Sequence, residues 1–301
     1  MFAAPEEVYN DPTVYAIPLY LAVIGVEIFI NIKDKLKVYE SKDSLACIAM
    51  GLGSLVVGVL MKSMAWLAFM FLYQFRVIEL DSSVWWYWVI LWFADDFSFY
   101  WHHRLSHEVR ILWAAHVNHH SSQKLNFSVA VRQSWTELFY KYFFWLWLPL
   151  LGFEPIHILF MISINLIYQF FQHTQVCPKL GPIEWFFNTP SHHRVHHASN
   201  IIYLDRNHAG TLIIWDRMFG TFQKENESEP CIYGITNNIE TFNPLKIATH
   251  EFVNLWNDIK RANRFSDKLK YVLCPPGWSH EGDNKSSNHL RQQLKKQQAA
   301  A

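Results

Sequence analysis

Apolar runs separated by short polar connectors fill the first half of the chain, and polar residues take over in the second. Residues 14–32 form a run of 19 broken only by Glu27 and Asn31, long enough to span a bilayer at about 1.5 Å per residue. The basic flank that follows (Lys33, Lys35, Lys37) puts that end on the cytoplasmic side. Residues 45–61 form a second run containing Gly51, Gly53 and Gly58, as suits helices packed closely in lipid. Lys62 interrupts it and residues 64–80 continue apolar, either as the rest of a long helix or as a re-entrant piece. Residues 84–101 carry a Trp and Tyr load that fits an interfacial belt. Residues 138–151 and 156–171 predict a helical hairpin turned at residues 152–155, and beyond Pro178 no run is long enough to span.

The pattern predicts an all-α polytopic membrane bundle of about four to five spanning helices, with a cytoplasmic helical cap rich in histidine. Its expected divisions are N-terminal membrane helices (1–80), a catalytic unit (81–222) holding the hairpin 138–171, a cytoplasmic extension (223–278) and a polar tail (279–301), disordered or loosely helical. The start, MFAAPEEVYNDP, has acids where a signal peptide has bases, so the first run is read as a retained helix.

Composition strengthens the membrane reading. The chain is 51% hydrophobic and 17% aromatic but only 17% charged, against about 25% charged in ordinary soluble domains. Zero net charge gives no reason to expect nucleic acid as a partner. The four cysteines lie far apart without CxxC spacing, which argues against a disulfide framework and a thiolate metal site.

The 16 histidines are the outlier. Three motifs stand out: His103-x3-His107, His116-x2-His119-His120 and His193-x2-His196-His197. Spacings of three and four put imidazoles on one helix face. Eight such ligands exceed what one zinc needs, and nitrogen donors suit iron, copper or zinc, not calcium or magnesium. His102 and His192, each directly before a motif, and His173, just after the hairpin, are further candidate ligands. Because a hairpin crosses and returns, residues 102–120 and 192–197 are expected on one membrane face. Asp95 and Asp96, inside an apolar helix, are expected to accept hydrogen bonds from the far nitrogens of ligand histidines, and His208 is placed behind the ligands as well. His157, His250, His280 and His289 are set aside as isolated. Neither HE pair completes HExxH, and no P-loop or GxGxxG is present, so reducing power must come from another molecule.

In this order, HRLSH, HVNHHSS and HHRVHH flanked by apolar helices resemble the fatty acid hydroxylase or sterol desaturase superfamily of membrane di-iron enzymes. WHHRLSHEVRILWAAHVNHHSS, VRQSW, NTPSHHRVHH and LDRNHAGTLIIWDRMFGTF resemble its alkylglycerol monooxygenase branch, over roughly residues 85–222. The resemblance implies two Fe ions facing the cytoplasm, O2 as co-substrate and hydroxylation of a lipid C–H bond. The lipid would be an alkylglycerol ether, a fatty acyl, a sphingoid or a sterol chain. Tetrahydrobiopterin or an electron-transfer haem protein would be the reductant. The alternatives are a desaturase of the same superfamily and, in another class, a membrane metal transporter or metal-binding protein.

Overall fold

The computed structural model describes residues 11–300; most of the acidic start lies outside them. Helix α1 (Pro12–Lys33) begins where Asp11 accepts a hydrogen bond from the Thr13 amide at 3.0 Å, with proline preset for the first turn. Helix α2 (Ser41–Tyr73) is a single helix of 33 residues, so the segment after Lys62 is its continuation. Lys62 is tolerated because its ammonium pairs with Asp11 at 2.5 Å and donates to Ser163 Oγ at 3.3 Å. Both helices are long and apolar enough to cross a membrane. Their outer faces are apolar and uncovered by protein, as at Val56 (76% exposed).

Helices α3 (Trp85–Glu108) and α4 (Arg110–His120) are separated by one extended residue, Val109. Short helices α5 (Phe127–Ala130) and α6 (Leu138–Lys141), a 3-10 turn (Tyr142–Trp145) and α7 (Trp147–Leu151) lead to α8 (Pro155–Phe170). The first arm of the expected hairpin is therefore broken. Pro149 removes a backbone donor from it, and its indoles turn toward α3, where Trp145 donates to Asp95 and Trp147 to Ser98. Gly152 closes α7 in a left-handed conformation, and a β-carbon there would run into the Ile78 carbonyl. Beyond a 3-10 turn (Gly181–Trp185) come α9 (Pro190–His196), α10 (Ile214–Phe219), α11 (Pro244–Arg261), α12 (Phe265–Leu273) and α13 (Ser287–Ala300). No strand occurs among the described residues, only the isolated bridges Phe187–Leu212 and Ala198–Tyr233.

Among the described residues two helices meet the length and composition of a span, fewer than the four to five expected. Asp95 and Asp96 interrupt the apolar run of α3. The 16 residues of α8 reach about 24 Å, short of a hydrocarbon core of about 30 Å. The polar tail takes the helical of the two forms expected for it. Residues 287–300 form α13, held by Arg291 donating to the Leu204 carbonyl.

Helix α3 is the spine of the molecule. Tyr87, Leu91, Ala94 and Phe99 pack against Ala65 and Phe69 of α2 and Ile158 and Ile162 of α8. Its buried acids do not reach a histidine. Asp95 accepts from Trp145 and Asn165. Asp96 accepts from the amides of Thr211 (2.6 Å) and Leu212 (2.8 Å) and from Trp215 Nε1 (2.9 Å). A carboxylate is spent here on backbone amides that the chain leaves unpaired at residues 211–212, which corrects the role expected for both residues. Asp96→Asn is accordingly expected to lower stability by about 1.5–3 kcal/mol, the worth of one hydrogen bond to a charged group. Metal content per folded chain should stay unchanged; thermal unfolding and metal analysis on the same preparation check both halves.

Candidate metal centre

The histidines come from four places: α3 (His102, His103, His107), α4 (His116, His119, His120), the turn after α8 (His173), and α9 with its C-terminal residue (His192, His193, His196, His197). Nine of them fall into two buried groups able to hold a metal ion each. One contains His103, His107, His116, His120 and His196, the other His119, His173, His193 and His197. The i, i+4 and i, i+3 spacings aim each helix's rings one way, and the adjacent pairs His119–His120 and His196–His197 split between the groups. Residues 102–120 and 192–197 do meet there.

Tautomers decide what these groups are. The far nitrogens of six rings face oxygen atoms that only accept. His103 Nδ1 lies 2.8 Å from the His208 carbonyl, His119 Nδ1 3.2 Å from that of Arg132, His173 Nδ1 2.9 Å from that of Gln169 and His196 Nδ1 2.8 Å from that of Arg206. His116 Nδ1 lies 2.9 Å from Glu137 and His107 Nδ1 3.2 Å from Asp205. Each therefore carries its proton on Nδ1 and presents a bare lone pair at Nε2. Yet Nε2 of His103 faces Nε2 of His116 at 3.1 Å, and Nε2 of His173 faces Nε2 of His119 at 3.1 Å. Lone pairs so opposed repel unless a cation lies between them. Nitrogens bound at about 2.1 Å to one ion would lie about 3.0 Å apart at right angles and about 3.4 Å apart in a tetrahedron. The observed 2.9–3.2 Å fits. Nε2 of His107, His196 and His197 is buried without a hydrogen-bond partner, which a metal would also satisfy. Burial holds the rings neutral: His173 is pushed down to about 4, and His119, His120, His193 and His197 well below the ordinary imidazole value.

Residues 88–221 match the family model described as fatty acid hydroxylase. Over those residues the chain is similar to fatty acid hydroxylases. The chain is similar to the alkylglycerol monooxygenase of Homo sapiens, 36% identical over 281 residues, covering 92% of this chain and 62% of the relative. With that of Xenopus tropicalis it is 38% identical over 262 residues, 86% of this chain and 58% of the relative. The ornithine lipid hydroxylase OlsE of Rhizobium tropici is 30% identical over 146 residues, 48% of this chain and 44% of the relative. The chain thus spans about three-fifths of the length of the alkylglycerol monooxygenases named here. No solved structure matches it.

Three candidates stand beside the two groups, not in them. His102 turns toward Glu137, its Nε2 3.3 Å from Oε1. His192 packs its ring against Phe222. His208 contributes its carbonyl to His103 and lays its ring 5.0 Å from that of His107. Its loop is held by buried Asp216, which accepts from the His208 and Ala209 amides. The acids that do meet a histidine of the groups, Glu137 and Asp205, were missed. Glu137 lies at the polar edge of an apolar run, the one sign that would have marked it.

A cavity of about 1790 Å³ lies against the five-imidazole group, with His107, His120, His196 and His197 in its wall. Its other sides mix polar side chains, Asn254, Asn257 and Asp258 of α11 among them, with apolar ones such as Val253, Trp278 and Leu290. Helix α11 is fastened over α4 by Arg110, which donates to Glu251 at 3.0 Å and pairs with Asp258 at 2.7 Å.

Proposed function

We propose that this chain is a membrane lipid hydroxylase that holds two iron ions in its histidine groups and inserts oxygen from O2 into a lipid C–H bond. The observation that carries the reading is the pair of buried imidazole groups with lone pairs converging at contact distance. A lipid C–H bond has no acidic proton or leaving group for a side chain to exploit, and the oxidising chemistry is what the bound metals would supply. The chain's own part is to hold them through nine imidazole rings, to fix those rings by carbonyls and carboxylates behind them, and to keep bulk water out by burial.

The relatives' names support hydroxylation and, among lipids, an alkylglycerol. The placement of the groups agrees: one side is a cavity with both polar and apolar walls, the other the apolar helices α2, α3 and α8. A substrate oxidised there has its reacting carbon at the junction of polar head and apolar tail, as in the carbon beside an ether oxygen. The basic residues Lys33, Lys35 and Lys37 support a cytoplasmic orientation. The reductant is an external donor, a pterin or a haem protein.

The test is expression in a host fed alkylglycerol lipids, comparing wild type with a His119→Ala, His120→Ala variant. Ether lipid should disappear and fatty aldehyde accumulate only with the wild type, and the purified protein should hold two irons per chain. Unchanged lipids, a haem absorption band, or purified protein without iron would each sink the proposal.

A further inference from the structure

We propose that residues 180–187 and α10 are immersed in the bilayer beside the metal centre, with lipid acyl chains as their partner. The segment follows the last apolar run and its pattern reads as aqueous, yet its surface is not. Ile183 is 49% exposed, Trp185 69%, Phe186 64% and, on α10, Met218 67%. A soluble face seldom gathers so many large apolar groups.

Depth is set by what the segment touches. The Phe187 ring lies 6.4 Å from that of Trp92 on α3 and 6.5 Å from that of Tyr168 on α8. Trp92 precedes His103 by eleven residues on one helix, about 16 Å along its axis. The chain therefore folds back from the histidines toward the opposite membrane face. At the level of Trp92, neighbouring Leu91 and Ala94 pack against Ala65 and Phe69 of α2. That is a stretch of a candidate span whose outer side chains, Met64 and Leu67, are exposed and apolar. Helix α10 lies alongside as well, with Trp215 5.2 Å from Phe97 and Phe219 5.1 Å from Trp101. The patch thus continues the lipid-facing surface of α2 and of Phe93 on α3.

Arg217 sits at the edge of this patch, its guanidinium 3.8 Å from the Phe222 ring centre and 5.9 Å from that of Trp185. An apolar stem along the patch with a charged end that can reach lipid phosphate is how arginine behaves at a membrane edge. The segment is tied to the histidines by short links. The Ile213 amide donates to the Phe186 carbonyl at 2.9 Å, the Asn188 amide donates to Thr211 at 2.7 Å, and the Asn188 carbonyl accepts from Tyr168 at 2.7 Å, two residues before α9.

The proposal rests on the membrane placement of α1 and α2 and not on the oxidation chemistry, so its failure would leave the proposed reaction standing. It is tested by nitroxide labels at Phe186→Cys and, separately, Met218→Cys. The full chain carries Cys177, Cys231 and Cys274 as Ser, is reconstituted in phosphatidylcholine nanodiscs, and has Glu227→Cys, a residue with its side chain 90% exposed, as the aqueous reference. Labels at 186 and 218 should be relaxed more by oxygen than by chromium oxalate, the reverse of the label at 227. Relaxation by chromium oxalate as at 227, or protection from both agents, which would mean a protein cover, overturns it.

Discussion

His193→Ala is expected to empty the four-imidazole group, halving the metal per chain and abolishing lipid oxidation. His193 Nε2 stands 2.9 Å from Nε2 of His173, and only His119 and His197 complete that group. Three nitrogens would remain, with a gap where the fourth stood and no carboxylate in the group to fill it. The five-imidazole group keeps four nitrogens after any single loss, so His120→Ala should retain more metal than His193→Ala. Losing a partner behind a ligand costs about 10–100-fold in affinity or activity, so losing a ligand from the smaller group should cost more than about 100-fold. Metal analysis of the purified variants beside the lipid assay reads both effects. Two ions retained in the His193→Ala variant would refute the assignment of the group.

Most of the site was readable because helical spacing is a strong constraint. Spacings of three and four leave few ways to point eight imidazoles. What failed to show was anything set by tertiary contact. Asp95 and Asp96 looked like partners of ligand histidines because an acid in an apolar helix needs an explanation. Their true partners include an indole about 50 residues away and loop amides about 115 residues away. The neighbours of the motifs were ambiguous for a related reason: a helical step of about 100 degrees turns them off the ligand face, and only packing decides what they meet. For His102 that is Glu137; for His192 it is Phe222. Backbone carbonyls behind the rings carry no residue signature at all. The fold divided similarly. Apolar runs announced α1 and α2, while the broken arm at residues 138–151 depended on indoles finding acceptors on α3.

Glu137 is where the largest effect from outside the two groups is expected. Burial alone would raise its carboxyl, but the His116 imidazole hydrogen-bonded to it, with His102 and Lys141 beside it, holds it well below the usual carboxylate range. It is therefore an anion with both oxygens engaged, Oε2 at 2.9 Å from His116 Nδ1 and Oε1 at 3.3 Å from His102 Nε2. In Glu137→Gln the shape is kept but one of those oxygens becomes an NH2 group. If the NH2 faces His116, two donors oppose each other, and relief requires moving the His116 proton to Nε2. That would remove the lone pair His116 offers within its group. If it faces His102, His116 keeps an acceptor but a neutral one, and the ring loses basicity as a ligand. Either way, metal affinity at the five-imidazole group is expected to fall about 10–100-fold, with little change in the folded structure. Glu137→Ala should add a loss of stability from the vacated space. Chelator competition reads the affinity and thermal unfolding of the metal-free proteins reads the fold. A Gln variant that binds metal as tightly as the parent would mean that Glu137 only fills its pocket.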